Sequence, residues 1–374
     1  MTDEKNQGTL WASAKTSELS PPYHPLIREL AAEKNLPEDS MKSLLTHLFS
    51  PEAEKDRQFL YENARKTANE TFGNKVYLRG LIEFTNYCRN DCYYCGIRAG
   101  NKKASRYRLT REEILECCHE GHDLGLHTFV LQGGEDMAYS PQDVADLVSS
   151  IKATFPDCAV TLSIGERSHE DYLLWYEAGA DRYLLRHETA DEAHYHRLHP
   201  KNLSLKHRMD CLYDLKSIGY QTGAGFMVGS PGQTIDTLLE DLAFLKKLKP
   251  EMIGIGPFIP HKDTPFAREA AGSMTQTLVL LSILRLMHPK ALLPSTTALS
   301  TIAENGRELG ILAGGNVVMP NLSPGSVRKK YMLYNNKRSD GSEAAQHIDE
   351  LARRFEAIGY TIDFGRGDAP SHTL

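Results

Sequence analysis

The 374-residue chain sets 43 Lys and Arg against 49 Asp and Glu, a formal net charge of −6, and its isoelectric point lies near 6.2. Nucleic-acid binding runs on clustered basic charge, so this balance argues against a phosphate-backbone partner. The longest apolar run, Thr277 to Met287, is interrupted by Arg285 and is too short to span a bilayer. The first 20 residues show neither a basic start nor an apolar core, so no secretory signal is expected and the location is read as cytoplasmic.

In chain order, residues 1 to 20 are polar and run into Ser20-Pro21-Pro22, which stops a helix; a disordered tail is expected. From His24 to Gly73 apolar residues recur at helical spacing, and Ser50-Pro51 followed by Glu52 and Glu54 is a helix start. From Lys75 onward short β-prone runs alternate with amphipathic segments. Eight strands are expected: Val76–Phe84, Thr128–Leu131, Ala159–Leu162, Arg182–Leu185, Thr222–Met227, Met252–Ile255, Leu292–Ser295 and Asn316–Met319. Between them Thr110-Arg111-Glu112-Glu113 has the pattern of a capping box. Eight strand–helix units predict a complete (β/α)8 TIM-type barrel, an α/β fold, with an N-terminal helical extension. The alternative is a partial, open barrel. The expected divisions are a tail and helical extension over 1–73, the barrel over 74–335, and a C-terminal part over 336–374 with a polar stretch, Lys337 to Ser342, and a helix from Glu343 to Ile358.

The first strand leads into Cys88-Arg89-Asn90-Asp91-Cys92-Tyr93-Tyr94-Cys95. Three thiolates at this spacing can hold three irons of a 4Fe-4S cube, and a cube has four corners. The next cysteines, Cys117 and Cys118, are adjacent in a helix-like segment and are expected to act as small apolar residues. The fourth iron therefore needs an external ligand. A zinc site would want a fourth Cys or His at short range, and no histidine lies between His47 and His119. Seven cysteines is an odd number, and no disulfide is needed to account for them.

Barrels of this type collect function where strands end. The second strand ends in Gln132-Gly133-Gly134-Glu135-Asp136, where two glycines let a ligand approach the backbone. The fourth places Arg182, Arg186 and Glu188 on one parity, a charged row facing one polar cavity; the bland alternative is an internal salt-bridge network. His187 falls out of that alternation and is expected to be structural. The fifth and sixth run into Gly- and Pro-rich loops, Gly223 to Gln233 and Gly254 to His261. The seventh ends in Ser295-Thr296-Thr297, whose hydroxyls can bind a carboxylate.

The CxxxCxxC run with Tyr94 before its last cysteine resembles the radical S-adenosylmethionine (SAM) enzymes, whose open iron takes the amino and carboxylate groups of SAM. Longer matches, Gly80 to Asn86, Val130 to Gln132, Tyr183 to Thr189, Gly254 to His261 and Asn316 to Asn321, make the chain similar to the HydE family, the radical SAM maturases of FeFe-hydrogenases. The resemblance covers about residues 75 to 335 and implies a cluster on Cys88, Cys92 and Cys95. It implies a SAM pocket of Tyr94, Gln132, Gly133, Thr161, Ser163, Glu188, Arg208, Met227, Ile259 and Tyr331. It implies a deeper substrate site of Arg182, Arg186, Thr296, Thr297, Met319 and Tyr334. Gly133 stands where the family often has serine. No cysteine follows Cys211, so a single 4Fe-4S cluster is expected.

The activity implied is reductive cleavage of SAM to a 5′-deoxyadenosyl radical, acting on a small sulfur-containing, cysteine-derived iron species toward the di-iron dithiolate unit. Other maturation proteins and an electron donor are the implied partners, with no nucleic acid and no membrane. Two rivals stand beside this: a lysine mutase resembling methylornithine synthase, and a non-catalytic iron–sulfur carrier.

Overall fold

The computed structural model describes residues 23–337 and 344–372. The expected tail over 1–20 and most of the polar stretch after Lys337 lie outside the described residues. Three helices open the chain, His24–Glu33, Glu38–Leu48 and Glu54–Phe72, the last entered through a single turn, Pro51–Ala53. Pro51 takes the first position of that turn, where its missing N–H costs nothing. The long helix packs against Met274–Met287, whose residues 277 to 287 are all buried. Arg285, the interruption in that apolar run, is fully buried and donates to the carbonyls of Gly314 (2.8 Å), Pro289 (2.8 Å) and Ala291 (2.7 Å) and to Asn316 Oδ1 (3.0 Å). A buried guanidinium is tolerated because its donors are met.

The strands are β1 (Lys75–Leu78), β2 (Gly80–Thr85), β3 (Thr128–Gly133), β4 (Ala159–Ser163), β5 (Arg182–Leu184), β6 (Gln221–Ala224), β7 (Met227–Val228), β8 (Met252–Ile253), β9 (Gly256–Pro257), β10 (Val317–Val318) and β11 (Thr361–Asp363). A six-stranded sheet runs β2-β3-β4-β5-β6-β8, with every pairing parallel. A three-stranded sheet, β10-β1-β11, and the pair β7-β9 complete the set. Strand and helix alternate as expected. The helix Arg111–Asp123 begins with the full capping box, Thr110 Oγ1 accepting from Glu113 N (3.2 Å) and Glu113 Oε2 from Thr110 N (2.7 Å).

Four expectations are corrected. The first strand divides at Arg79, whose side chain turns into the floor, with Nη1 on Met252 Sδ (2.9 Å) and Nη2 on the Gly367 carbonyl (3.3 Å). The fifth and sixth divide at Gly225 and Gly254, because Gly225 lies so close to Gly254 that a Cβ would collide with its backbone. The seventh is reduced to isolated bridges, Met252 to Leu292 and Pro294 to Val317; Pro294 has no N–H to extend a ladder. The C-terminal helix spans Ile348–Glu356 after a turn at Ala345–His347, and β11 follows it, pairing Lys75 with Thr361 and Tyr77 with Asp363. At three residues that strand is too short to carry a periodic signal.

Register fixes two polar rows. Glu83, Gln132 and Ser163 are neighbours across β2, β3 and β4, and one layer below Thr161, Arg182 and Gln221 are neighbours across β4, β5 and β6. Among the described residues no helix is long and apolar enough to cross a membrane.

Candidate active site at the ends of the strands

The loop after β2 is pinned from both sides. Glu135, buried at 4% exposure, accepts from Arg89 Nε (2.9 Å) and from the backbone N–H of Glu166 (2.9 Å), while its own carbonyl accepts from Arg89 N (3.0 Å). Asp91 receives Arg98 Nη2 (2.6 Å) and Gly100 N (2.7 Å). Arg106 donates to the carbonyls of Ile97 and Arg98, both at 2.7 Å. A Cβ on Gly134 would lie 2.6 Å from Cys88 Cβ and strike the Tyr87 carbonyl, so glycine there is what brings β3 against the loop. A Cβ on Gly133 would meet Thr85 Cγ2 at 2.7 Å, which gives the departure from serine a steric counterpart.

Cys88, Cys92 and Cys95 are free and half-buried on this loop, while Cys117, Cys118, Cys158 and Cys211 are buried elsewhere in the fold. Burial raises all three loop thiols, Cys95 to about 12, and Cys92 is raised further by the charges of Cys95 and Cys88. Three thiols that resist ionisation together will lose their protons to a cation that bonds them. The donor set therefore fits an iron–sulfur cube with one corner unfilled by protein.

Around the loop stand most of the expected SAM residues. Tyr94 packs on the cluster of Leu198, Met227 and Phe258, and its hydroxyl donates to His199 Nε2 (3.2 Å). His199 Nδ1–H donates to the Tyr195 carbonyl (3.0 Å), and burial lowers the ring to about 3, so it is neutral and accepts. Arg208 meets Glu166 Oε1 at 2.5 Å; burial works against its charge, but Glu166 holds it well above the usual arginine range. Arg208 eases the ionisation of Cys92 and Tyr94, while Glu188 opposes that of Tyr94 and Cys95, which places both beside the loop. Glu188 has φ +68, rare for a non-glycine residue, and is held there by its N–H on the Gly225 carbonyl (3.0 Å) and by Arg186 Nη2 (2.8 Å). Such outliers gather at functional sites. Gln132 Nε2 reaches the Tyr331 hydroxyl (3.4 Å), Ser163 ends β4, and Ile259 sits half-buried after β9.

The deeper set divides. Arg186 and Tyr334 come together, the charge of Arg186 acting on the phenol, and Arg186 Nε, Thr296 Oγ1 beside Gly256 and, in the layer of Arg182, Thr161 Oγ1 are buried with no hydrogen-bond partner among the described residues. A buried polar atom without a partner calls for a ligand or water. Thr297 opens the helix Thr297–Ile302, and Met319 packs toward Met252, Leu292 and Val317.

Arg182 does not join this set. It is fully buried at the start of β5 and is saturated by Thr128 Oγ1 (3.1 Å), Asp368 Oδ1 (2.5 Å) and the Arg366 carbonyl (2.7 Å). Burial draws its pKa down and Asp368 partly restores it. Here the salt-bridge reading of the charged row holds, because strand direction sends Arg182 to the floor while Arg186, four positions on, faces the upper cavity. His187, structural as expected, accepts from Gly225 N at Nδ1 (3.3 Å) and donates from Nε2 to Asp241 (3.2 Å).

Glu83 and Lys337 were absent from the expected site. Glu83 is fully buried and takes Lys337 Nζ (2.5 Å) and Asn321 Nδ2 (3.0 Å). Lys337 Nζ also donates to the Tyr331 carbonyl (3.1 Å), and Gly96 N donates to the Leu333 carbonyl (2.8 Å), so the segment bearing Tyr331 and Tyr334 is tied to the cysteine loop. A carboxylate inside the apolar run Gly80–Thr85 is the signal that marks Glu83.

The Radical SAM superfamily profile matches residues 82–245. The chain is 48% identical to the "[FeFe] hydrogenase maturase subunit HydE" of Thermotoga maritima over 307 residues, 81% of this chain and 87% of that protein. The chain belongs to the HydE family of radical SAM enzymes. It is also 32% identical to the 3-methylornithine synthase of Methanosarcina acetivorans, covering 87% of this chain and 89% of the relative. The crystal structure of methylornithine synthase superposes with a TM-score of 0.78 at 28% identity, over 90% of this chain and 97% of that one. The maturase HydG from Carboxydothermus hydrogenoformans shares the fold, with a TM-score of 0.75 at 19% identity, over 91% of this chain and 79% of that one. Membership of this family implies a 4Fe-4S cluster and SAM.

Proposed function

We propose that this chain is a maturase of FeFe-hydrogenase that uses a single 4Fe-4S cluster and SAM to act on a small sulfur-containing iron species. One observation carries the reading. The three free cysteines follow the end of β2, and Arg186 and Thr296, which lie beyond the strand ends, have buried polar atoms with no hydrogen-bond partner among the described residues, while the remaining four cysteines lie buried away from the loop. When bound, the cluster with SAM at its open iron supplies one-electron cleavage of the sulfonium and a carbon-centred radical.

The chain's own part is to hold and seal. Cys88, Cys92 and Cys95 would hold three irons. Tyr94 with Met227 offers an apolar shelf to an adenine, and Glu188 and Arg208 present opposite charges suited to the ammonium and carboxylate of an amino acid. Arg186, Thr296 and Tyr334 would grip an anionic substrate beneath. Water exclusion asks for a closed wall. We infer closure into a complete barrel from the bridges Met252–Leu292, Pro294–Val317 and Leu81–Asn321, which continue the parallel pairing from β8 through β10 back to β2.

The test is in vitro maturation of an inactive hydrogenase with this protein supplied, omitted, or replaced by Cys92→Ala. Hydrogenase activity should appear with the wild type alone, and activity arising equally with Cys92→Ala defeats the assignment. The methylornithine synthase relatives favour a second reading, and turnover of lysine by the reconstituted protein would select it.

A further inference from the structure

We propose that a lysine-lined recess beside the cysteine loop is the docking face for a small acidic one-electron carrier protein of the ferredoxin type. The proposal rests on the radical SAM reading of the same site. The recess has a volume of about 410 Å³, and its floor is formed by Gly96 and Ile97, the two residues after Cys95, with Met332. Its rim carries Lys103, Lys262, Lys329 and Lys330. Lys103 is paired with Asp263 at 3.0 Å. Among the described residues no carboxylate lies within 4.0 Å of the ammonium groups of Lys262, Lys329 or Lys330, and Lys262 and Lys329 are exposed. On a chain of net charge −6 this wall, set with four lysines and one aspartate, lies beside one cluster ligand.

The chemistry requires an electron from outside. Among the described residues the four other cysteines are buried thiols, two of them consecutive in one helix. Each docking event passes one electron, the carrier losing one and the cluster gaining one. The rim suits a protein better than a small anion. Its cations are lysines from three chain segments, one of them paired with Asp263, with no arginine fork to clasp a phosphate. Dispersed charge of this kind steers encounter with an oppositely charged partner and orients it. Gly96 and Ile97, which line the recess, continue the loop whose cysteines would hold the cluster.

The experiment compares the iron-loaded wild type with Lys262→Glu/Lys329→Glu, using a purified acidic ferredoxin or dithionite as reductant, and a control, Lys55→Glu/Lys66→Glu, that makes the same charge change on the exposed face of the Glu54–Phe72 helix. At low ionic strength the recess variant should cleave SAM about tenfold more slowly with ferredoxin, and the defect should fade with salt. Its affinity for oxidised ferredoxin, read by calorimetry, should fall in parallel. Dithionite-driven cleavage should stay at the wild-type rate. Unchanged ferredoxin kinetics and affinity overturn the proposal. So do an equal loss in the control and an equal loss with dithionite. So does competition by inorganic phosphate at the recess with no effect on ferredoxin. A wild type that leaves SAM intact even under dithionite speaks against the proposed function instead, and the affinity comparison still decides the docking face.

Discussion

Arg182 and Arg186 stand on one chain segment with the same parity and meet opposite fates. Arg182, at the start of β5, has its donors taken by Thr128, Asp368 and the Arg366 carbonyl. Arg186, beyond the end of the strand, has one carboxylate, Glu188 at 2.8 Å, and an Nε with no protein partner. Around Arg182 the network is closed within the protein, although its floor neighbour Arg79 keeps a buried Nε without a hydrogen-bond partner among the described residues; around Arg186 it is left incomplete where a charged ligand would complete it. Burial alone therefore does not mark function. Buried polarity without internal satisfaction marks it where, as at Arg186, it stands beside the strand-end loops.

The contrast can be broken from either end. Cys92→Ala has the largest expected effect: iron per chain drops and release of methionine and 5′-deoxyadenosine from SAM falls below detection, while the apoprotein still folds. Arg182→Met leaves Asp368 with Arg366 and Gln221 as its remaining partners and should cost about 1–3 kcal/mol of stability, measured by denaturant unfolding of the apoprotein. Adding Asp368→Asn should cost less than the sum of the two single changes, since they share one network. Arg186→Met should lower maturation about 10- to 100-fold, the scale of a lost contact to a charged ligand, with unfolding close to wild type. Thr296→Val removes a buried hydroxyl that has no hydrogen-bond partner among the described residues. It should weaken substrate binding a few-fold, about 1 kcal/mol, and leave unfolding unchanged or slightly improved.

The cysteine loop, Gly134 and Tyr94 are legible in sequence because their chemistry is local: ligand spacing, close backbone approach and an aromatic beside the last ligand. The alternation of strand and helix is legible from hydropathy alone. Arg182 is not, because its decisive partner, Asp368, lies 186 positions away in a tail whose return depends on β11. Parity puts Arg182 and Arg186 on one face but says nothing of which end of the barrel each side chain reaches. The split strands are likewise tertiary: Arg79 turns inward because Met252 and Gly367 wait for it, and neither is visible from positions 75 to 85. Glu83 is half-legible, since a carboxylate in an apolar strand demands a partner, but Lys337 is supplied by a loop 254 positions on.

The most direct measurement is the yield of 5′-deoxyadenosine from SAM by three reduced, iron-loaded proteins: wild type, Arg182→Met and Cys92→Ala. The first two should cleave SAM, per folded chain, and the third should not. Cleavage by Cys92→Ala would contradict a cluster held on the three loop cysteines, and its loss in a folded Arg182→Met would contradict the separation of floor and site.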